Sequence, residues 1–143
     1  MTQPAQGIIA HLVVSDAAEA LDFYARALGA TETMRMPAED KRRIMHAEIE
    51  VNSARLFLRD HFPEFCPANE AAKLAPPPII GGTTVTLHLE VPNCDAAVAR
   101  MKEAGGTVLM EPMDAFWGAR YAQLLDPFGH CWSFAHPLPG APR

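Results

Sequence analysis

Positive charge is scarce in this 143-residue chain: 12 Lys and Arg stand against 17 Asp and Glu, for a net charge of −5. The longest basic run is Lys41-Arg42-Arg43, so no nucleic-acid partner is expected. No apolar run reaches the length that spans a bilayer, and the start M-T-Q-P-A-Q lacks a charged stretch followed by an apolar one. No membrane partner is expected, and the cytoplasm is the expected place. Cysteine is also scarce. Cys66, Cys94 and Cys131 are odd in number and show no CxxC spacing, which reads as free thiols in a reducing compartment. The chain has no G-x-S-x-G, no Gly-rich phosphate loop and no recognisable nucleophile–base–orienter set, so no nucleotide cofactor is expected. What it does have is apolar content, 49% hydrophobic against 20% charged, enough for a packed domain.

The chain also repeats itself. Residues 9–18 read I-A-H-L-V-V-S-D-A-A and residues 86–95 read T-L-H-L-E-V-P-N-C-D. Shifted by 77, His88 falls on His11, Leu89 on Leu12, Val91 on Val14, Ala97 on Ala20, Ala104 on Ala27 and Gly106 on Gly29. Each copy therefore opens with a histidine in its first strand.

Local signals give each copy the same order of elements. Residues 7–14 are rich in β-branched residues and predict a strand. Asp16 and Glu19 make a capping box. Ala20, Leu21, Phe23, Tyr24, Ala27 and Leu28 recur at helical spacing, and Gly29 stops the helix. A short strand is expected over 30–36 and a charged turn over 38–42. Two strands, 43–51 and 54–59, join at Asn52-Ser53, a hairpin signal. Residues 61–82 carry five prolines and end in Gly-Gly, which predicts a linker or flap. The second copy then predicts strand 85–91, helix 94–104, strand 107–111, loop 112–118, and strands 119–125 and 131–135 around the turn Asp126-Pro-Phe-Gly129. The tail after 135 is expected to be loose.

The expected fold is α+β: two tandem βαβββ modules forming curled mixed sheets around a cup-shaped cavity. A four-stranded sheet with one helix buries one face only, so the other needs a second sheet or a second chain. The whole reads as one domain, 1–143. Module one covers about 7–60, the Pro-rich linker or flap 61–82, and module two about 83–137.

Three stretches carry a family resemblance: A-H-L-V-V-S-D-A-A-E-A-L-D-F-Y, M-H-A-E-I-E-V and F-W-G-A-R-Y-A-Q-L-L-D-P-F-G-H-C-W-S. With the paired modules, they resemble the glyoxalase / bleomycin-resistance / extradiol dioxygenase (vicinal oxygen chelate) superfamily, and within it the PhnB-like subgroup. The resemblance covers residues about 7–137. It implies a lyase, isomerase or dioxygenase using a divalent metal (Ni, Zn, Mn or Fe), or a metal-free protein that sequesters a small molecule. It also implies a homodimer. In metal-using members the ion is held by His and Glu from first and last strands, takes two substrate oxygens and acts as a Lewis acid. Here those positions read Ile9, Thr86 and Ser133, and the matching strand A-R-L-F-L-R has no carboxylate before Asp60.

A substitute set is present in the sequence. His11 and His88 lie two residues further along their strands, hence on the same sheet face. Glu48 and Gln123 occupy similar places in the third strands. His11, His88 and Glu48 are thus candidate metal ligands as two imidazoles and one carboxylate; the alternative is that both histidines simply line an apolar cup. Trp117 is a candidate wall of the cup, or packs at a dimer seam. Arg120 is a candidate anchor for a carboxylate or phosphate, or pairs with a local acid such as Asp126. Ser133 is a candidate cup residue on the last strand, between Trp132 and Phe134, whose aromatic face reads as core. Asp126-Pro-Phe-Gly129 reads as a structural turn and His130 as exposed. His46 and His136 are further cup candidates, and His61 reads as solvated. The expected partner is a small oxygenated or aromatic molecule.

Overall fold

The computed structural model describes residues 7–65 and 73–140. Module one contains β1 (His11–Val14), α1 (Ala17–Leu28), β2 (Thr31–Pro37), β3 (Ile44–Val51) and β4 (Ala54–Asp60). A 3-10 turn at Pro63–Phe65 and the one-turn helix α2 (Pro77–Ile80) follow. Module two contains β5 (Thr86–Glu90), α3 (Cys94–Ala104), β6 (Thr107–Asp114), β7 (Ala119–Leu125) and β8 (Cys131–Pro137). Each module is a four-stranded sheet, ordered β1-β4-β3-β2 and β5-β8-β7-β6. In each, the first strand pairs parallel to the last and the other pairings are antiparallel.

The helices form where the caps place them. Asp16 is the N-cap of α1 and accepts from the Glu19 N–H at 3.1 Å; Gly29 ends the helix at φ 68. Asp60, at the end of β4, is 5% exposed and accepts from Ala17 N at 2.8 Å and Ile44 N at 2.6 Å. That one carboxylate ties the helix start to two strands, and both oxygens are bonded, as burial requires. In module two Asn93 caps α3 through Ala96 N, and His136 Nδ1 accepts from Cys94 N at 2.7 Å.

One core runs through both modules. Leu12, Val14, Ile49 and Leu58 of the first sheet share it with Leu124, Trp132 and Phe134 of the second, and with Phe23, Tyr24, Val98 and Met101 of the helices. The helices α1 and α3 pack against each other as well as against their own sheets. Asp126 bolts the halves together. It accepts from Tyr24 OH at 2.6 Å and Trp132 Nε1 at 2.9 Å, and its other oxygen accepts from Phe128 N and His130 N. No helix among the described residues is long and apolar enough to cross a membrane.

Several expected boundaries shift. β1 begins at His11, not at 7; just before it Ala10 O accepts from Phe57 N. The strands expected over 30–36, 54–59, 85–91 and 131–135 run Thr31–Pro37, Ala54–Asp60, Thr86–Glu90 and Cys131–Pro137. The larger change is β6, which continues through Pro112 to Asp114 where a loop from 112 was expected. β6 is an edge strand with register shifts between Val108 and Met110 and between Met110 and Met113. An edge or a bulge is where a strand tolerates proline. The Asn52-Ser53 hairpin holds as expected, with φ 48 and 70 at its two central residues, the geometry of a two-residue turn. Cys66 lies outside the described residues.

Candidate functional site

Strand alternation gives each sheet a core face and an opposite face. In module one the register sets His11 beside Phe57, Phe57 beside Glu48 and Glu48 beside Met34, with Met36 beside His46 one step along. In module two it sets His88 beside Ser133, Ser133 beside Gln123 and Gln123 beside Met110, with Met113 beside Tyr121. The two faces therefore correspond position by position: His11 with His88, Phe57 with Ser133, Glu48 with Gln123, His46 with Tyr121, and two methionines with two methionines. Both faces point away from the helices. They are open within one chain: Met36 is 47% exposed and Met113 41%.

The equivalent histidines sit in unlike surroundings. His11 makes edge contacts with His46 at 5.4 Å and Phe57 at 5.8 Å between ring centres. Burial lowers its pKa, and the charges of Arg59 and His46 lower it further. Burial disfavours the charged imidazolium, and a neighbouring cation does the same. His46 donates Nε2–H to Glu48 at 3.0 Å, and Glu48 also lies 3.6 Å from Arg55. His88 instead stands in a polar row. Its Nε2 lies 2.6 Å from Glu90 and its Nδ1 2.7 Å from the Ser133 hydroxyl. A carboxylate accepts, so in the neutral ring Nε2 carries the proton and Nδ1 accepts from Ser133. The ring is roughly parallel to Tyr121, 18° apart in plane with centres 6.3 Å apart. Gln123 donates to Tyr121 OH at 3.0 Å, and Trp117 packs edge-on to Tyr121 at 5.3 Å. No nucleophile–base–orienter set was legible in the sequence, yet Ser133, His88 and Glu90 line up as one. Ser133 is 2% exposed beneath the ring, so its hydroxyl fixes the imidazole rather than meeting a ligand.

Of the expected site residues, His11, Glu48, His88, Gln123 and Ser133 all lie on these two faces, with Trp117 at the margin of the second, 52% exposed. His46 joins them. Arg120 does not: it turns to the helix side and pairs with Asp95 of α3 and with Asp114, each at 3.0 Å. Its expected acid, Asp126, is occupied by Tyr24 and Trp132. His136 leaves the cup as well, being spent on the start of α3. His130, expected exposed, is part-buried and donates Nε2–H to Val13 O at 3.0 Å. Sequence reasoning missed Tyr121, Phe57, Glu90 and Arg59; strand parity with His88 and Gln123 would have found Glu90 and Tyr121, whereas Phe57 and Arg59 follow only from the pairing of β4 with β1.

Pockets border these faces. One of about 240 Å³ lies at the seam of the modules, lined by Ala54 and Arg55 of β4, His88 and Leu89 of β5, and Trp132. Another, about 570 Å³, lies between α2 and the second sheet, beside Thr86, Leu125 and Cys131. A groove of about 290 Å³ on the helix side includes Arg100, but that guanidinium closes the end of α1 by donating to Arg26 O at 2.7 Å.

The donor set does not fit a divalent ion within one chain. Thr86 and Ser133 carry hydroxyls and Ile9 no donor. Among the described residues no three His, Cys, Asp or Glu side chains stand together as metal ligands. His11 is grouped with His46 and His88 with Ser133, so His11, His88 and Glu48 do not converge in this chain.

The relatives agree with this architecture. The chain is 42% identical over 128 residues to a protein of Mycobacterium bovis named only as uncharacterized, covering 90% of this chain and 81% of that one. The crystal structure of TioX from Micromonospora has the same fold, with a TM-score of 0.70 and 24% identity over 94% of this chain and all of that one. A glyoxalase/bleomycin resistance protein/dioxygenase from Nocardioides superposes with a TM-score of 0.65 at 26% identity, over 97% of this chain and 89% of that one. The family model of the Glyoxalase/Bleomycin resistance protein/Dioxygenase superfamily matches residues 7–134, and the chain belongs to that superfamily.

Proposed function

We propose that this protein binds a small oxygenated or aromatic metabolite between the two open faces, in a cup closed by pairing two copies of the chain in the cytoplasm. One observation carries the reading: the faces bear rings, methionines and a few fixed polar groups at matching register positions, and neither face is covered within one chain. Such a surface, apolar with few anchored donors and acceptors, is the make-up of small-molecule sites, and methionine adapts to irregular ligands. Exposed Phe116 (97%) and Trp117 (52%) at the rim favour the homodimer, since exposed apolar patches mark contact surfaces.

A second reading keeps a divalent metal and a lyase, isomerase or dioxygenase reaction. It is favoured by the histidines at equivalent positions of the two modules, with Glu48 in the same register row as His11. Elemental analysis of untagged protein, beside His88→Ala, separates the two. The first reading expects no stoichiometric metal, no specific uptake of nickel, manganese, iron(II) or zinc, and saturable binding of aromatic probes. One metal per site, lost in His88→Ala, overturns it in favour of the second.

A further inference from the structure

The chain is acidic overall, and most of its arginines are committed. Arg26 pairs with Asp22, Arg35 with Glu32, Arg43 with Asp40 and Glu64, Arg55 with Glu48, and Arg120 with Asp95 and Asp114. Arg59 is different. It lies on β4 two residues beyond Phe57, paired in register with Val13, so it shares the open face with His11 and Phe57. It is only partly exposed. Among the described residues it meets no carboxylate, and its hydrogen bond is a single one, Nη1 to Asp60 O at 3.2 Å. A partly buried guanidinium left without an acid partner lacks its counter-ion.

The groups around it decide what that counter-ion is. His11, on the neighbouring strand, feels the charge of Arg59. From β3, Glu48 faces the same region but is taken up by His46 and Arg55; Glu50 lies one step further out, exposed. From β4, Arg55 adds a second cation, its guanidinium 5.5 Å from the Phe57 ring centre. The equivalent position to Arg59 in module two is Ala135, and to Val13 it is Glu90. The anion-seeking group therefore belongs to one face only, and its rings stand beside it.

We infer that the cup takes its ligand as an organic oxyanion, an apolar or aromatic body bearing a carboxylate or similar group, with Arg59 as the anchoring cation and His11 beside the anionic group. This rests on the cup-binding reading above. Guanidinium suits the task because its planar fork donates two parallel bonds to such a group. The anion also offsets the cation beside His11, so ligand binding is linked to the protonation of that ring.

Two fluorescent probes with the same aromatic body test this: 1-anilinonaphthalene-8-sulfonate, which is anionic, and N-phenyl-1-naphthylamine, which is neutral. Each is titrated into wild type, Arg59→Gln and Arg59→Lys, with thermal unfolding run beside them to confirm folding. The expected result is that Arg59→Gln weakens the sulfonate by about tenfold or more, the size of a lost charge-assisted bond, and leaves the neutral probe unchanged. Arg59→Lys retains part of the difference. In parallel, the ring signals of His11 titrate at higher pH when the sulfonate is bound to wild type, and this ligand effect vanishes in Arg59→Gln. If Arg59→Gln weakens both probes alike, or neither, Arg59 is no anchor and the inference falls while cup binding stands. If neither probe binds wild type, the cup-binding reading itself fails.

Discussion

The phenol of Tyr24 reaches across the module boundary and donates to Asp126 at 2.6 Å. Tyr24 sits in the first module's helix and is fully buried; Asp126 opens the second module's last turn and is 3% exposed. The carboxylate holds four donors in all, so the bond joins a helix, a turn and the Trp132 indole in one network. Burial, and then the adjacent Asp126 charge, push the Tyr24 phenol well above its ordinary pKa.

Tyr24→Phe removes one of those donors without opening a cavity. Stability is expected to fall by about 1.5–3 kcal/mol, the usual worth of a hydrogen bond to a charged group, measured as a shift in the urea midpoint at unchanged slope. The raised pKa also fixes a direction with pH. The folded state keeps the Tyr24 proton where the unfolded chain loses it, so this contribution is complete below about pH 10 and declines above it. Tyr24→Phe is expected to flatten that alkaline decline.

Gly129→Ala is expected to destabilise the turn and its packing against α2 together. Gly129 has φ 90, and a Cβ there would lie 2.8 Å from Pro77 Cβ and 3.2 Å from Pro78 Cδ. Left-handed backbone and a clash with α2 act at once, for a loss of roughly 1–3 kcal/mol. Thermal unfolding reads the stability, and limited proteolysis at Pro77–Ile80 reads the seating of α2.

His11 is expected to titrate below the ordinary value of 6.5 by NMR of its ring. Its folded pKa is lowered, so the unfolded chain binds a proton first as pH falls. Its contribution to stability is present above about pH 6.5 and is lost as pH drops through the folded value. Removing the nearby cation in Arg59→Gln is expected to raise the His11 pKa even without ligand; an unchanged value would place Arg59 too far away to matter.

Much of the fold was legible because its signals are local. The Asp16 and Gly29 helix ends and the Asn52-Ser53 turn are each read within a few residues, and the 77-residue repeat needs only the chain laid against itself. The two-residue step from Ile9 to His11 also placed both histidines on the open faces, since parity needs no tertiary knowledge. What stayed hidden depends on partners far along the chain. Arg120 finds Asp95 on a helix 25 residues away, and His136 finds the start of that same helix. His11 and His88 look identical in sequence; only the strand register reveals that one neighbours Phe57 and the other Ser133. Pro112 argued for a loop, and only its place on an edge strand explains why β6 runs on.

The same register yields the most direct test of the cup. Met34, Met36, Met110 and Met113 lie on the open faces, whereas Met101 is fully buried on α3. A methyl spectrum of methionine-labelled protein, titrated with 1-anilinonaphthalene-8-sulfonate, reports all five at once. The expected result is saturable shifts at the four face methionines with Met101 unmoved. Shifts at Met101 with the four face methionines silent would contradict the cup and move the ligand site to the helix side.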